Sequence, residues 1–409
     1  MVGKSGATYN LDKIPPSTIT HTATMAPSPL RVVPLPDELR KSSQIGAEVV
    51  LPSGMRYLSL ENLTEQEKTT LRDGLYQHGV LVVRDQLGIH PGVMPQLGKF
   101  FDETAGETHS AGRKMVTDKR NILSENRGAR NPRATQVGII GKGRFENVEG
   151  CLNLDLKHVD HTEFHENPLS AEEIALGFTR PYRWHMDMPL NGNLPGFVTT
   201  IHCVQAPDLP DQKIKFPDQD LPIPAASTAF LSGARAFELL TPEEKEFALN
   251  TTVLYAPRAY EWMRECKATE DGMTIAKVGK ERPLGEFHDN LTYPMVWKNH
   301  GTGKPHLQIL GCCVYSLRTT DPKTGQVTEM TDLVSVRKTC RRLLSHVYAP
   351  ENIYPHRWAE GDFVIFHNRG CLHSITGTLM GPTDGDDKEK RLLWQCNMMS
   401  GTPPEPFKA

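Results

Sequence analysis

The chain has 409 residues, with 46 Lys and Arg against 49 Asp and Glu and a formal net charge of −3. That balance argues against a general nucleic-acid or anionic-membrane binder, because such partners demand a clustered basic excess. The 33 Gly and 31 Pro lie above average usage but short of a disordered composition, so a loop-rich globular fold is expected.

Residues 1–44 are rich in Pro, Ser and Thr and lack apolar periodicity, the pattern of a flexible N-terminal extension; residues 45–409 are expected to form one domain. Ala47–Leu51 reads as a strand. Thr64 with Glu67 three residues on is a capping box, followed by Leu71, Leu75 and Tyr76 at helical spacing, and Gly79 should end that helix. Val80–Val83 follows as a buried strand and Pro91–Phe101 as an amphipathic helix. Between 130 and 160, short β-rich runs alternate with Gly, and Ser170–Leu176 reads as a helical turn.

Phe197–Cys203 and Ser227–Leu231 read as strands. At Thr241-Pro242-Glu243-Glu244 a helix opens with Pro at its first position and carboxylates at the positive end of the dipole. Strand signals return at Pro294–Trp297, His306–Leu310 and Asp362–Phe366, and Leu333–Ser345 reads as a helix with Val334, Val336, Leu343 and Leu344 on one side. Dispersed short strands with interspersed helices predict a mainly β protein, a double-stranded β-helix (jelly roll) with helical insertions, rather than a parallel α/β sheet.

The eight cysteines show no CxxC spacing, and adjacent Cys312 and Cys313 would strain a mutual disulfide. The N-terminal segment lacks the apolar core of a signal peptide, and no apolar run approaches bilayer length. A cytoplasmic protein with reduced thiols is expected, acting on a small molecule rather than on nucleic acid or membrane, with homo-oligomerisation left open.

Phosphate-binding glycine loops, nucleophile elbows and HExxH motifs are missing. What stands out is Trp184-His185-Met186-Asp187, where strand alternation would turn His185 and Asp187 the same way. One more His would complete a facial set of two imidazoles and a carboxylate, the arrangement that leaves positions open on non-haem Fe(II). His373, where an apolar strand runs into a polar turn, is the candidate, with His367 as its competitor. Arg391 opens a late apolar strand, where a buried guanidinium would require an anion such as a dicarboxylate. Arg369, in a turn beside Gly370, is the rival anion binder or a brace for its loop.

These residues resemble the TauD/TfdA-type Fe(II)/2-oxoglutarate dioxygenases over nearly everything from Gly46 onward. The likeness lies in Gly46-Ala47-Glu48, in His78-Gly79-Val80-Leu81-Val82-Val83-Arg84-Asp85-Gln86, in the HxD at 185–187, in Asn368-Arg369 ahead of His373, and in Arg391. Within that group the chain is most similar to fungal xanthine dioxygenases, through Tyr182-Arg183-Trp184-His185, Phe237–Leu240, Lys245–Leu249, Pro294–Asn299, Gly303-Lys304-Pro305, Phe366–Gly370 and Gln395-Cys396-Asn397. The resemblance implies Fe(II) on His185, Asp187 and His373, with 2-oxoglutarate and O2 as co-substrates and the far 2-oxoglutarate carboxylate on Arg391. It also implies a small polar substrate that is hydroxylated, desaturated or cyclised, with release of succinate and CO2.

Departures accompany the likeness. The Thr that many relatives place after the HxD is matched by Gln212-Lys213, so Lys213 is a candidate second anchor for 2-oxoglutarate or a solvated strand residue. Lys157 and Asn397 match residues assigned to the purine in the xanthine enzymes. The Glu-Asp pair expected before the HxD reads Glu172-Glu173-Ile174, with the Asp replaced by Ile. A purine's polar groups would then be left unpaired, which points to the alternative of a free amino acid or small carboxylate in fungal specialised metabolism. A non-catalytic barrel that binds a ligand is a third reading, opposed by the complete His185, Asp187 and His373 set.

Overall fold

The computed structural model describes residues 28–106, 129–157, 164–188, 190, 192–279, 283, 285–376 and 387–408. Its centre is a twisted sheet with the strand order Arg31–Pro34, Ala47–Val50, Val80–Val83, Phe363–His367, Val198–Gln205, Arg391–Asn397, Ala134–Val148 and Arg130–Asn131. A three-stranded sheet, Tyr354–His356, Thr228–Ser232 and Cys371–Ile375, lies against it. An isolated antiparallel bridge between His185 and His373 brings the HxD segment alongside that smaller sheet. Two facing sheets, antiparallel except where Ala47–Val50 pairs parallel with Val80–Val83, make the expected double-stranded β-helix, mainly β with helices.

Alternation explains how one sheet buries both faces. Val80 and Val82, Val364 and Phe366, Ile201, Cys203 and Leu393 turn inward to the space between the sheets, where they meet Phe230 and Tyr354. Leu81 and Val83, Phe363 and Ile365, Leu392, Trp394 and Cys396 turn outward to the helices Glu65–His78 and Val93–Phe101. Strands covered on both faces must be apolar throughout, which is why Val80–Val83 and Phe363–Phe366 read as continuous runs. A third and larger cluster, drawn mostly from residues 236–353, packs beside the HxD segment through Trp184, Met186 and Met188.

Local signals decide the element ends. The Thr64–Glu67 and Thr241–Glu244 capping boxes both form, and Gly79 closes the first of these helices at positive φ. Ala134–Val148 is a single 15-residue strand instead of the short runs expected. Its Gly141 sits where a Cβ would come within 1.8 Å of the Arg391 carbonyl oxygen, so glycine serves close approach there and does not break the strand.

Two further expectations differ from the structure. Within the helix Leu333–Ser345 the buried side is Val336, Arg337, Cys340, Leu343 and Leu344, whereas Val334 is 74% exposed. At 100° per residue, Val334 falls on the far side from Val336 and follows the N-cap Asp332 into solvent. The expected extension to residue 44 also differs in its described part. Arg31–Pro34 is the edge strand of the large sheet, Leu30 and Leu35 are buried, and the Leu30 amide donates to Glu67 Oε1 at 3.0 Å. Residues 1–27 of that expectation lie outside the described residues. Among the described residues no helix is long and apolar enough to cross a membrane.

Candidate active site

Three side chains converge between the two sheets. His185 and His373 exchange backbone hydrogen bonds across the isolated bridge, at 2.9 and 2.7 Å, which sets their ring centroids 4.0 Å apart. Asp187 Oδ1 lies 4.0 Å from His185 Nε2 and 3.9 Å from His373 Nε2. Among the described residues this is the group whose donors could hold one metal ion, all within 4.8 Å of one another.

The surroundings fix two of the three donors by hydrogen bonds, while His373 Nδ1 has no partner among the described residues. His185 Nδ1 faces the Arg183 carbonyl at 3.2 Å, so it carries the ring proton and leaves Nε2 to bind a metal. Asp187 Oδ2 accepts from the Thr199 hydroxyl at 2.7 Å, which leaves Oδ1 facing the imidazoles. Asn368 clamps the carboxylate's backbone: its Oδ1 accepts from the Asp187 amide at 2.7 Å, and its Nδ2 donates to the carbonyls of Asp187 and Gly196. Burial pushes the pKa of both imidazoles down; the Arg183 charge adds to this at each, and Asp187 opposes it at His373. Neutral imidazoles and one carboxylate are the forms that ligate, and this donor set on one face suits non-haem Fe(II) with open positions for co-substrates.

The competition between His367 and His373 is resolved by alternation. His367 shares the outward side of its strand with Phe363 and Ile365, and its ring meets Tyr76 edge-on at 5.1 Å and His306 at 5.9 Å. His373 lies on the inward side, against Phe230 and Phe366.

Arg391, Leu393, Gln395 and Asn397 share the inward side of the last strand, with Leu393 paired to Cys203 and Asn397 to Thr199. Asn397 thus neighbours the Thr that holds Asp187, and Arg391 lies at the far end of the same row. Arg391 is 3% exposed, its Nε has no hydrogen-bond partner among the described residues, and burial pulls its pKa down to about 10. A buried cation left without a counter-charge is costly, so an anion in the row beyond Ile201 and Leu393 would offset that cost. This is the fit expected for a dicarboxylate whose other end reaches the metal.

The remaining expected residues stand apart from that row. Arg369 donates to the Pro195 carbonyl from Nε and Nη2 and to the Thr402 carbonyl at 2.6 Å, with its guanidinium 4.0 Å over the Phe197 ring, so it braces the turn. Lys213 reaches Asp220 at 3.3 Å and the face of Phe178 at 4.2 Å on a half-exposed strand. Lys157 is exposed at the end of the strand Cys151–Leu156. Glu173 is engaged in a capping box with Ser170 at the start of the helix Ala171–Ala175. The sequence reading missed Thr199 and the buried Arg183. Both were open to a simple cue, a polar residue on the inward side of an apolar strand and a charged residue two positions before a ligand.

The family model for taurine catabolism dioxygenase TauD, TfdA family, matches residues 34–397. The alpha-ketoglutarate-dependent xanthine dioxygenase xanA of Emericella nidulans is 37% identical over 359 residues, covering 86% of this chain and 93% of its own. The corresponding xan1 of Schizosaccharomyces pombe is 34% identical over 408 residues, with 95% of each chain covered. The alpha-ketoglutarate-dependent dioxygenase bsc9 of Alternaria brassicicola is 28% identical over 347 residues, covering 78% of this chain and 83% of its own. Among solved structures, a putative alpha-ketoglutarate-dependent taurine dioxygenase from Burkholderia xenovorans superposes with a TM-score of 0.52 at 15% identity, covering 93% of both chains. At that identity the likeness speaks for the fold.

Proposed function

From a chain that belongs to the TauD, TfdA dioxygenase family and is a 2-oxoglutarate-dependent non-haem iron dioxygenase, we propose an enzyme that oxidises xanthine or a closely similar purine. The observation that carries the chemistry is the meeting of His185, Asp187 and His373 between the sheets. The choice of purine is supported by the relatives of 34–37% identity named as xanthine dioxygenases. It is also supported by Gln395 and Asn397, two amides on the inward row that can both donate to and accept from a heterocycle.

When bound, Fe(II) would supply the oxidising chemistry with 2-oxoglutarate and O2 as co-substrates, one oxygen atom of O2 ending in succinate as CO2 leaves and the other in the oxidised substrate or in water. The protein's own residues position the reactants. Thr199 and Asn368 hold the Asp187 carboxylate and its backbone in place, and the His185 to Arg183 contact fixes the imidazole. Arg391 would anchor the distal carboxylate of 2-oxoglutarate by charge-assisted hydrogen bonds, while Ile201 and Leu393 keep water from its chain. Because Lys213 is engaged with Asp220, the anchoring role falls to Arg391 in this reading.

One observation favours a second substrate class. Ile174 stands where the xanthine enzymes carry an acid, and neighbouring Glu173 is spent on its helix cap, so a free amino acid or small carboxylate would lose fewer partners there than a purine. A screen for 2-oxoglutarate-dependent succinate release against purines and free amino acids separates the two. Xanthine-coupled release is the expected outcome; release coupled to a carboxylate alone, or to neither class, would overturn the purine reading.

A further inference from the structure

A second buried guanidinium lies close to the same site. Arg183 is 4% exposed, and among the described residues neither its Nε nor its Nη1 has a hydrogen-bond partner. Its guanidinium carbon lies over the Tyr260 ring, 5.3 Å from the centroid. Tyr260 is itself buried and donates its hydroxyl to the Met188 carbonyl, one residue beyond Asp187. Arg183 stands two residues before His185, and His185 two before Asp187, in a segment whose one bridge is at His185; the Arg183 charge also reaches the buried thiols of Cys312 and Cys313. Its proximity to the ligands shows at the imidazoles: after burial, the Arg183 charge is the next cause holding His185 neutral, and it is felt at His373 as well.

The charges expected at the loaded site leave Arg183 over. The ferrous ion, the Asp187 carboxylate, the 2-oxoglutarate dianion and Arg391 cancel one another, and the imidazoles are neutral. Lys142 is matched by Glu389 at 2.8 Å. Among the described residues Arg183 has no such match, and an unpaired buried cation is tolerated where a ligand supplies the opposite charge. Tyr260 supplies only a ring face, a weaker partner than an anion for a planar fork of donors.

We propose that Arg183 is the substrate's anion receptor, so that the enzyme takes its substrate as a monoanion, with the negative group held by the Arg183 guanidinium against Tyr260 and beside the iron ligands. A purine that has lost a ring N–H proton, its charge shared with an exocyclic oxygen, and a carboxylate share this chemistry. The inference deepens the proposed function and rests on its placing of the substrate beside His185 and Asp187.

The test compares Arg183→Met and Arg183→Lys with the parent as anaerobic protein loaded with Fe(II) and 2-oxoglutarate, by thermal melting and by equilibrium binding of xanthine. Methionine keeps the contact with Tyr260 and removes the charge. Arg183→Met is expected to melt no lower than the parent without xanthine, because it relieves an unpaired buried charge, and to bind xanthine at least about tenfold more weakly. Arg183→Lys should recover part of that loss. An Arg183→Met protein that melts several degrees lower or fails to fold, while Arg183→Lys does neither, would show a structural brace and overturn the proposal. Unchanged xanthine affinity in Arg183→Met would overturn it too. Should the parent not bind xanthine, the purine reading fails; binding is then measured with the carboxylate that drives succinate release, and the melting comparison decides on Arg183 by itself.

Discussion

Arg369 and Arg391 are both buried, and burial pulls the pKa of each down to about 10, yet their surroundings differ in kind. In the turn after Phe363–His367, Arg369 meets two backbone carbonyls and an aromatic face. At the head of the last strand, Arg391 meets apolar walls and a thiol, and its Nε has no partner among the described residues. Desolvation alone does not separate a brace from a binding residue. The partners do: Arg369 gives its Nε and Nη2 to carbonyls of the fold and keeps only Nη1 without a partner among the described residues, which fits a brace, whereas Arg391 meets apolar walls and a thiol, which fits a group that would bind an anion.

That contrast can be broken by exchanging the two roles. Arg369→Ala should cost about 2–4 kcal/mol of stability, since it strands the Pro195 and Thr402 carbonyls and removes a stacked ring contact. It should leave the 2-oxoglutarate requirement within about twofold of the parent; chemical denaturation and steady-state titration would measure the two effects. Arg391→Ala should do the opposite, raising the apparent 2-oxoglutarate requirement by an order of magnitude or more, in line with about 1.5–3 kcal/mol for a charge-assisted hydrogen bond. Its unfolding midpoint should move little. An unchanged requirement would shift the anchor to another cation. The smallest effect belongs to Lys213→Ala, whose half-exposed pair with Asp220 is worth about 0.2–1 kcal/mol of stability. Its 2-oxoglutarate requirement should match the parent's, and a tenfold rise would restore Lys213 as an anchor.

Much of this site can be read along the chain because its residues sit in strongly patterned strands. Val80–Val83 and Phe363–Phe366 are buried on both faces and therefore apolar throughout, and both capping boxes mark their helices. The HxD and the leading Arg391 stand out because polar residues interrupt or open such runs. What sequence alone leaves open are relations between distant strands. His367 and His373 are both plausible ligands until the strand places one outward against Tyr76 and the other inward against Phe230. Val334 reads as part of an apolar stripe until the helix shows which side meets the core. Thr199 acquires a role only through Asp187, twelve residues earlier, and Arg183 only when every nearby counter-charge has been located. The edge strand Arg31–Pro34 hides in a Pro-rich stretch because an edge tolerates Pro, as Pro34 does.

The central claim is that His185, Asp187 and His373 hold a single iron, and anaerobic Fe(II) titration measures it most directly. The parent should take up one equivalent, and Asp187→Ala, which removes the sole carboxylate of the set while leaving the fold's cores untouched, should lose that uptake. Uptake that is absent in the parent, or equal in the parent and in Asp187→Ala, would contradict it.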